Sequence, residues 1–194
     1  MNTKAQLIEH FRKDHNLTTS DIDKILPFFK YRTFEKKELI IKENDQVISQ
    51  FYIVKGAIAA YQTDLKGKQH TIQFAIDDWW ISDYNAYYND HIRATLTLKA
   101  LEKTHVLEIK RTDLENLFIQ IPALDSNFRK RYEKAFTKLQ QRVLSNLIKT
   151  PFERYQSFVK EYPKIEQKAP NYQLASFLGM TPETLSRVRK KIIS

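Results

Sequence analysis

The densest chemistry in the chain lies between Asn171 and Lys191. The segment reads Asn171-Tyr172-Gln173-Leu174-Ala175-Ser176-Phe177-Leu178-Gly179-Met180-Thr181-Pro182-Glu183-Thr184-Leu185-Ser186-Arg187-Val188-Arg189-Lys190-Lys191. Its spacing predicts two helices joined by a tight turn. Ala175 is small where the first helix must meet the second, and Gly179, four residues later, suits a turn that needs a positive φ. Leu174, Leu178, Met180, Leu185 and Val188 can close one small core. Thr181 is an N-cap candidate, and Pro182 follows at the first helical position, where its missing N–H costs nothing. Glu183, Thr184, Ser186, Arg187, Arg189 and Lys190 are then left facing outward. A DNA-recognition helix needs such a face: side chains near its start that reach base edges, and cations that bind phosphate. Arg can bind guanine bidentately, and Glu can accept from the cytosine amino group. The plainer alternative is a helical hairpin with a solvated basic face.

The charge distribution bears on that choice. Residues 1–128 hold 17 Lys+Arg against 18 Asp+Glu, whereas residues 129–194 hold 15 against 5. The net charge of +9 is therefore concentrated in the C-terminal third, as expected of a nucleic-acid-binding segment behind a near-neutral front. Other chemistries find less support. The chain has no cysteine, which removes disulfides, thiolate zinc sites, cysteine-ligated iron–sulfur clusters and cysteine nucleophiles together. The five histidines, His10, His15, His70, His91 and His105, have no metal-ligand spacing, although one could serve as a haem ligand. Asp77, Asp78, Asp83 and His91 could be imagined as an enzymic constellation, but no nucleophile–base pair accompanies them. No run of ~18 apolar residues suggests a membrane span. No apolar secretory h-region follows the N-terminus, so the cytoplasm is the expected compartment.

These side chains must be positioned by two kinds of element. Residues 3–15 suit a short amphipathic helix on Ala5, Leu7, Ile8 and Phe11, and Ser20 is a candidate N-cap for a second helix that Pro27 ends. From Tyr31 to Ile109 the apolar period changes to two. Leu39–Ile41, Phe51–Val54, Ala57–Tyr61, Thr71–Ile76, Thr95–Ala100 and Val106–Ile109 are short and rich in β-branched and aromatic residues, as in an antiparallel sandwich or barrel. Gly56, Gly67 and Asn44-Asp45 mark its turns. After Asp113 the helical period returns. Leu124, Phe128, Tyr132, Ala135, Leu139, Val143 and Leu147 form a narrow apolar stripe on a helix of about 25 residues, longer than the usual ~12. Such a stripe packs on a partner helix or on the β domain of its own chain. Pro151 restarts a helix through Phe152, Tyr155, Phe158 and Val159, and Tyr162 to Pro170 is a polar stretch bracketed by prolines.

The segment Ala175–Arg187 resembles the winged helix-turn-helix of the Crp/Fnr family of bacterial transcription regulators. Phe51–Ile58, the Gly67 hairpin and the strand through Phe74 resemble that family's cyclic-nucleotide-binding-type β-roll. The resemblance runs from about Asp21 to Ser194. It implies an α+β fold: an antiparallel, jelly-roll-like sensor domain over residues 1–122, a long dimerisation helix over 123–149, and a winged helix-turn-helix domain over 150–194. It further implies a homodimer on double-stranded DNA of roughly palindromic sequence, with RNA polymerase as a further partner. The dimer helix would then carry Phe128, Tyr132, Ala135, Leu139 and Val143. Glu183 and Arg187 match the family's base-contacting residues; a further family Arg is Pro182 here, so one direct contact should be missing. Ser186 replaces a common Gly and could reach a phosphate, and Tyr172 and Gln173 are candidate backbone contacts.

In nucleotide-binding members of the family a Gly-Glu pair, and later an Arg followed by a small hydroxyl residue, hold the cyclic nucleotide. Here Ser82 and Asp83 stand for the pair, and Arg93 and Thr95 are one residue too far apart. The candidate effector pocket, Trp80, Ile81, Ser82, Asp83, Arg93 and Thr95, therefore departs from the nucleotide pattern. The expected effector is an unidentified small molecule or none. Trp79, Trp80, Tyr84, Tyr87 and Tyr88 either line an aromatic pocket or belong to core and rim. A protein-interaction or ligand-binding module with a vestigial DNA-binding segment is the rival to a transcription regulator.

Overall fold

The computed structural model describes residues 3–14 and 17–193; His15 lies outside them. Eight strands appear among the described residues: β1 (Lys30–Phe34), β2 (Leu39–Ile41), β3 (Ser49–Lys55), β4 (Ala57–Thr63), β5 (Gln69–Ile76), β6 (Trp80–Ile81), β7 (Thr97–Ala100) and β8 (Thr104–Lys110). They form two antiparallel sheets, ordered β1-β8-β3-β6 and β2-β7-β4-β5. The alternation read in the sequence sorts their side chains into layers, because successive residues of a strand face opposite ways. Phe51, Ile53, Ile58, Ala60, Ala75 and Leu98 meet between the sheets. Tyr52, Trp80, Leu107 and Ile109 turn to the outside of the first sheet, where helices cover them. Ala57, Ala59 and Phe74 turn to the outside of the second. Gly56, at φ +128, joins β3 to β4 against Thr104, so closely that a Cβ there would lie 2.5 Å from the Thr104 hydroxyl oxygen. No side chain fits that corner.

Helices close both outer faces. α1 (Thr3–Asp14) and α2 (Thr19–Ile25) pack Leu7, Phe11, Ile22 and Ile25 onto the first sheet. The N-cap of α2 is Thr18, not the expected Ser20: the Thr18 side chain accepts from the Asp21 N–H while Asp21 accepts from the Thr18 N–H. That reciprocal box satisfies two backbone donors, and Ser20 lies inside the first turn, where its hydroxyl cannot make one. A short helix α3 (Tyr84–Tyr88) follows β6. α4 (Arg111–Gln120) and α5 (Pro122–Ile148) follow β8, then α6 (Pro151–Glu161), α7 (Pro163–Lys168), α8 (Asn171–Phe177) and α9 (Pro182–Ile193). Among the described residues no strand follows Lys110, so they lack the β wing that the resemblance implied. Pro163 and Pro170 bracket α7, and proline cannot donate to the ladder of a hairpin. No helix among the described residues is long and apolar enough to cross a membrane.

The 27-residue α5 changes environment along its length. Leu124 and Phe128 are buried under the first sheet, and Tyr132 is half-buried beside them. Beyond Tyr132 the stripe emerges: Ala135 is exposed, Leu139 is 47% exposed, Val143 50% and Leu147 76%. One end of the stripe thus packs on its own β domain, while the other stands exposed among the described residues.

Candidate nucleic-acid interface and sensor cassette

α8, the turn and α9 form the helix pair that the spacing predicts. Gly179 takes φ +64 in the turn, and the Met180 N–H donates to the Ala175 carbonyl at 2.9 Å. Leu174, Ala175, Leu178, Leu185 and Val188 close one core together with Tyr155 and Phe158 of α6 and Ile165 of α7. Thr181 caps α9, its hydroxyl oxygen accepting the Thr184 N–H at 3.2 Å. With Leu185 and Val188 turned inward, Glu183, Ser186, Arg187 and Lys190 stand exposed on the other face and Thr184 is half-buried between them. Hydrogen bonds from its own backbone N–H and from Thr181 hold the Glu183 carboxyl below the usual range. It is therefore an ionised acceptor in the first turn of the helix, where the dipole favours it. An Arg187 Nη2–H donates to the Thr184 hydroxyl at 3.3 Å, which keeps the guanidinium near the start of the helix.

Two of the expected DNA-contacting residues are placed otherwise. Arg189 turns back into the domain, donating to Glu166 at 2.7 Å, to the Tyr155 hydroxyl at 3.0 Å and to Asn171. It ties α9 to α6, α7 and α8, and its fork is occupied. Gln173 is 1% exposed, and neither polar atom of its side chain has a hydrogen-bond partner. It lies on the face of α8 shared with Ser176, three residues on, which packs against β5: the Thr71 N–H donates to the Ser176 hydroxyl at 2.9 Å. Phe177 meets Phe74 with ring centroids 5.2 Å apart. Tyr172, by contrast, is 48% exposed. The burial of Arg189 and Gln173 arises from packing between distant segments, which local spacing does not reveal.

The sensor cassette consumes its own polar groups. The Asp83 carboxylate, 1% exposed, accepts the Ala86 N–H as the N-cap of α3. It also accepts the Thr95 N–H at 2.8 Å, the Thr95 hydroxyl at 3.2 Å and the Leu96 N–H at 2.9 Å. The Ser82 hydroxyl donates to the Ser49 carbonyl at 2.9 Å. Arg93 is exposed. Trp80 and Ile81 belong to the cores on either side of the first sheet. The aromatic run is core and rim: Trp80 packs against Phe128 at 5.0 Å, and Tyr84 and Tyr88 against Tyr132. Burial raises the Tyr84 and Tyr87 hydroxyls above their ordinary range, so they remain neutral. These residues do not fit a cyclic nucleotide, since the carboxylate that would take the ribose hydroxyl already accepts four hydrogen bonds and the arginine points to solvent. The Asp77, Asp78, Asp83 and His91 constellation is not assembled either. Asp78 accepts from Tyr52 and pairs with His10 at 2.8 Å, Asp77 holds the Gly56 N–H, and His91 is exposed. No metal-ligand cluster occurs among the described residues.

Comparison with known proteins agrees with this geometry. The cyclic nucleotide-binding domain family model matches residues 31–120. No curated protein sequence matches the chain. Among solved structures, FixK2 from Bradyrhizobium japonicum superposes with a TM-score of 0.73 at 18% identity, over 84% of each chain. A protein assigned to the Crp/Fnr family of transcriptional regulators from Eubacterium rectale gives 0.71 at 17% identity, over 95% of this chain and 87% of that one. The Thermus thermophilus catabolite activator protein gives 0.56 at 19% identity, over 92% and 85%. The chain has the fold of the Crp/Fnr regulators. The Eubacterium rectale protein is described as a transcriptional regulator and the Thermus thermophilus one as a catabolite activator. In this chain the fold joins the two-sheet β domain to a C-terminal helical unit, with a self-satisfied cassette and with α7 in the place where a wing was expected.

Proposed function

We propose that the chain is a sequence-specific DNA-binding transcription regulator of the Crp/Fnr type, acting as a homodimer on a roughly palindromic operator. The observation that carries this is the exposed face of α9, which presents an ionised Glu183, Ser186, Arg187 and Lys190 while Leu185 and Val188 anchor the helix from behind. Glu183 and Arg187 supply base readout, and Ser186, Lys190, Thr184 and Tyr172 supply phosphate contacts. The half of α5 beyond Tyr132 supplies the dimer contact through Ala135, Leu139 and Val143, because an exposed apolar stripe of this length buries most simply against its own copy. Control comes from an effector other than a cyclic nucleotide, or from none, and RNA polymerase is the partner that reads the bound dimer.

The test is selection of binding sites from a random duplex pool by the purified, ligand-free protein at near-physiological salt. An inverted repeat is expected. The double variant Leu139→Glu, Val143→Glu should recover a single half-site, more weakly, because linking two half-site contacts raises affinity by ~10²–10⁴. Recovery of no sequence from the wild-type pool, with only salt-sensitive binding, would count against a reading role for α9.

A further inference from the structure

The direction in which a dimer helix points its reading heads depends on the packing of α8 on β5 and on the joint between α5 and α6, and here that joint is short. α5 ends at Ile148 and α6 begins at Pro151. Only Lys149 and Thr150 intervene. Thr150 and Glu153 form a reciprocal capping box that fixes the first turn of α6. Arg154, the next residue, lies across the joint. Its Nη1 donates to the Lys149 carbonyl at 2.8 Å and to the Asn146 carbonyl at 3.4 Å, at the end of α5. Its Nη2 donates to the Gly179 carbonyl at 3.2 Å, in the turn between α8 and α9. The Asn146 side chain lies against the same glycine, where a Cβ would sit 3.5 Å from its Oδ1. One guanidinium thus bridges the last turn of the long helix, the start of α6 and the helix-turn-helix turn.

We infer that Arg154 is a positioning residue that fixes the angle between α5 and α9, and so sets the spacing of half-sites that the dimer accepts; this rests on the function proposed above. The chemistry requires arginine. A cation is favoured where α5 presents its unpaired carbonyls. A planar fork spreads its donors over carbonyls of two elements in a fixed geometry, with Nη1 on Lys149 and Nη2 on Gly179, whereas an ammonium offers its donors from a single atom. Glu153 does not divert it, because the Glu153 carboxylate is taken by the Thr150 N–H and hydroxyl at 2.8 Å each. The consequence follows from DNA geometry: one added base pair rotates one half-site against the other by about 35° and shifts it by about 3.4 Å. A stiff joint rejects that change, and a loose one absorbs it.

The absence of cysteine allows the joint to be measured directly. Spin labels at Gln140→Cys on α5 and Lys191→Cys on α9, diluted with unlabelled chain, report the distance between the two helices without DNA. With Arg154 in place the distribution should be narrow; in Arg154→Lys and Arg154→Met it should broaden at least about twofold. On operators with half-sites moved by one and two base pairs, wild type should prefer one spacing by about tenfold or more. Both variants should prefer it by less than about threefold, while binding an isolated half-site as wild type does, since α9 itself is untouched. Thermal melts of the variants control for unfolding. An unchanged distance distribution and an unchanged spacing preference would overturn the inference. If wild type recognises no operator, the proposed function falls, and the distance measurement alone still decides the role of Arg154.

Discussion

The exposed face of α9 and the cassette at 82–83 both carry the residue types that recognise ligands, yet they treat them oppositely. On α9, Glu183, Ser186 and Arg187 face solvent, and their internal bonds lie within one turn of the same helix. In the cassette, Ser82 and Asp83 are 1% exposed and bond to strands and loops from elsewhere in the β domain. A polar group that is already satisfied and buried holds the fold together; one held ready at the surface can exchange water for a partner at little cost. The comparison assigns reading to α9 and structural support to the cassette, although the sequence motifs at both places resemble binding motifs.

The sharpest way to break this division is to exchange two arginines two residues apart. Arg187→Ala should lose about 1–3 kcal/mol of specific affinity, roughly 5- to 150-fold, and relax the sequence preference at the base it reads. Its melting temperature should not change. Arg189→Met should do the reverse: its bonds to Glu166 and Tyr155 serve the domain, so stability falls while sequence preference stays. Titration of operator and of single-base variants of it, alongside thermal melts, separates the two. Equal loss of affinity in both variants, with equal stability, would erase the distinction.

A smaller effect is expected in the cassette. Asp83→Asn replaces an acceptor of three N–H or O–H groups from Thr95 and Leu96 by an amide that must turn one donor toward them. Loss of a charge-assisted hydrogen bond costs about 1.5–3 kcal/mol, which for a chain of this size lowers Tm by roughly 5–10 °C. Operator affinity below the melting range should be unchanged, and adding a cyclic nucleotide should not raise the Tm of wild type. A ligand-induced rise would reopen the cassette as a binding site.

What could be read in advance, and what could not, follows the same physics. The strand at 71–76 was legible because its large apolar residues alternate, and the one at 51–54 because a short β-branched and aromatic run suits a strand buried on both faces; Gly56, Gly67 and Gly179 marked turns that all take positive φ. The helix-turn-helix was legible because its small residue, glycine and cap lie within a dozen positions. β1 was not, since Lys30–Phe34 is an edge strand almost entirely exposed, with no apolar alternation to show. The cap of α2 went to Thr18 over Ser20 because Asp21 answers only the former. Arg154, Arg189 and Gln173 drew no such signal. Their roles depend on what lies opposite them: the two arginines bond to residues 5 to 34 positions away, and Gln173 is buried on a helix that packs against β5, more than 100 positions away. The Thr150-x-x-Glu153 box followed by an arginine, directly after a long helix, was the one local hint of the joint.

Gln173 gives the finest test of the comparison, because sequence placed it with the reading residues and structure places it with the supporting ones. As a phosphate contact it would have to leave a site where it is 1% exposed, and that would mean lifting α8 from β5. As a supporting residue it is a poor one, since both polar atoms of its amide lack partners. Replacing a buried orphan amide by an apolar side chain of similar size removes a desolvation cost of about 1–3 kcal/mol. Gln173→Leu should therefore raise Tm by roughly 3–10 °C and leave duplex affinity within about twofold of wild type. A fall in affinity with a raised Tm would mean that α8 lifts from β5 when DNA is bound and that Gln173 is a reader after all. A fall in Tm with unchanged affinity would mean that an ordered water completes the amide, because such a water makes about three bonds and is costly to displace. Either result places Gln173 on one side of the division between presented and consumed polar groups.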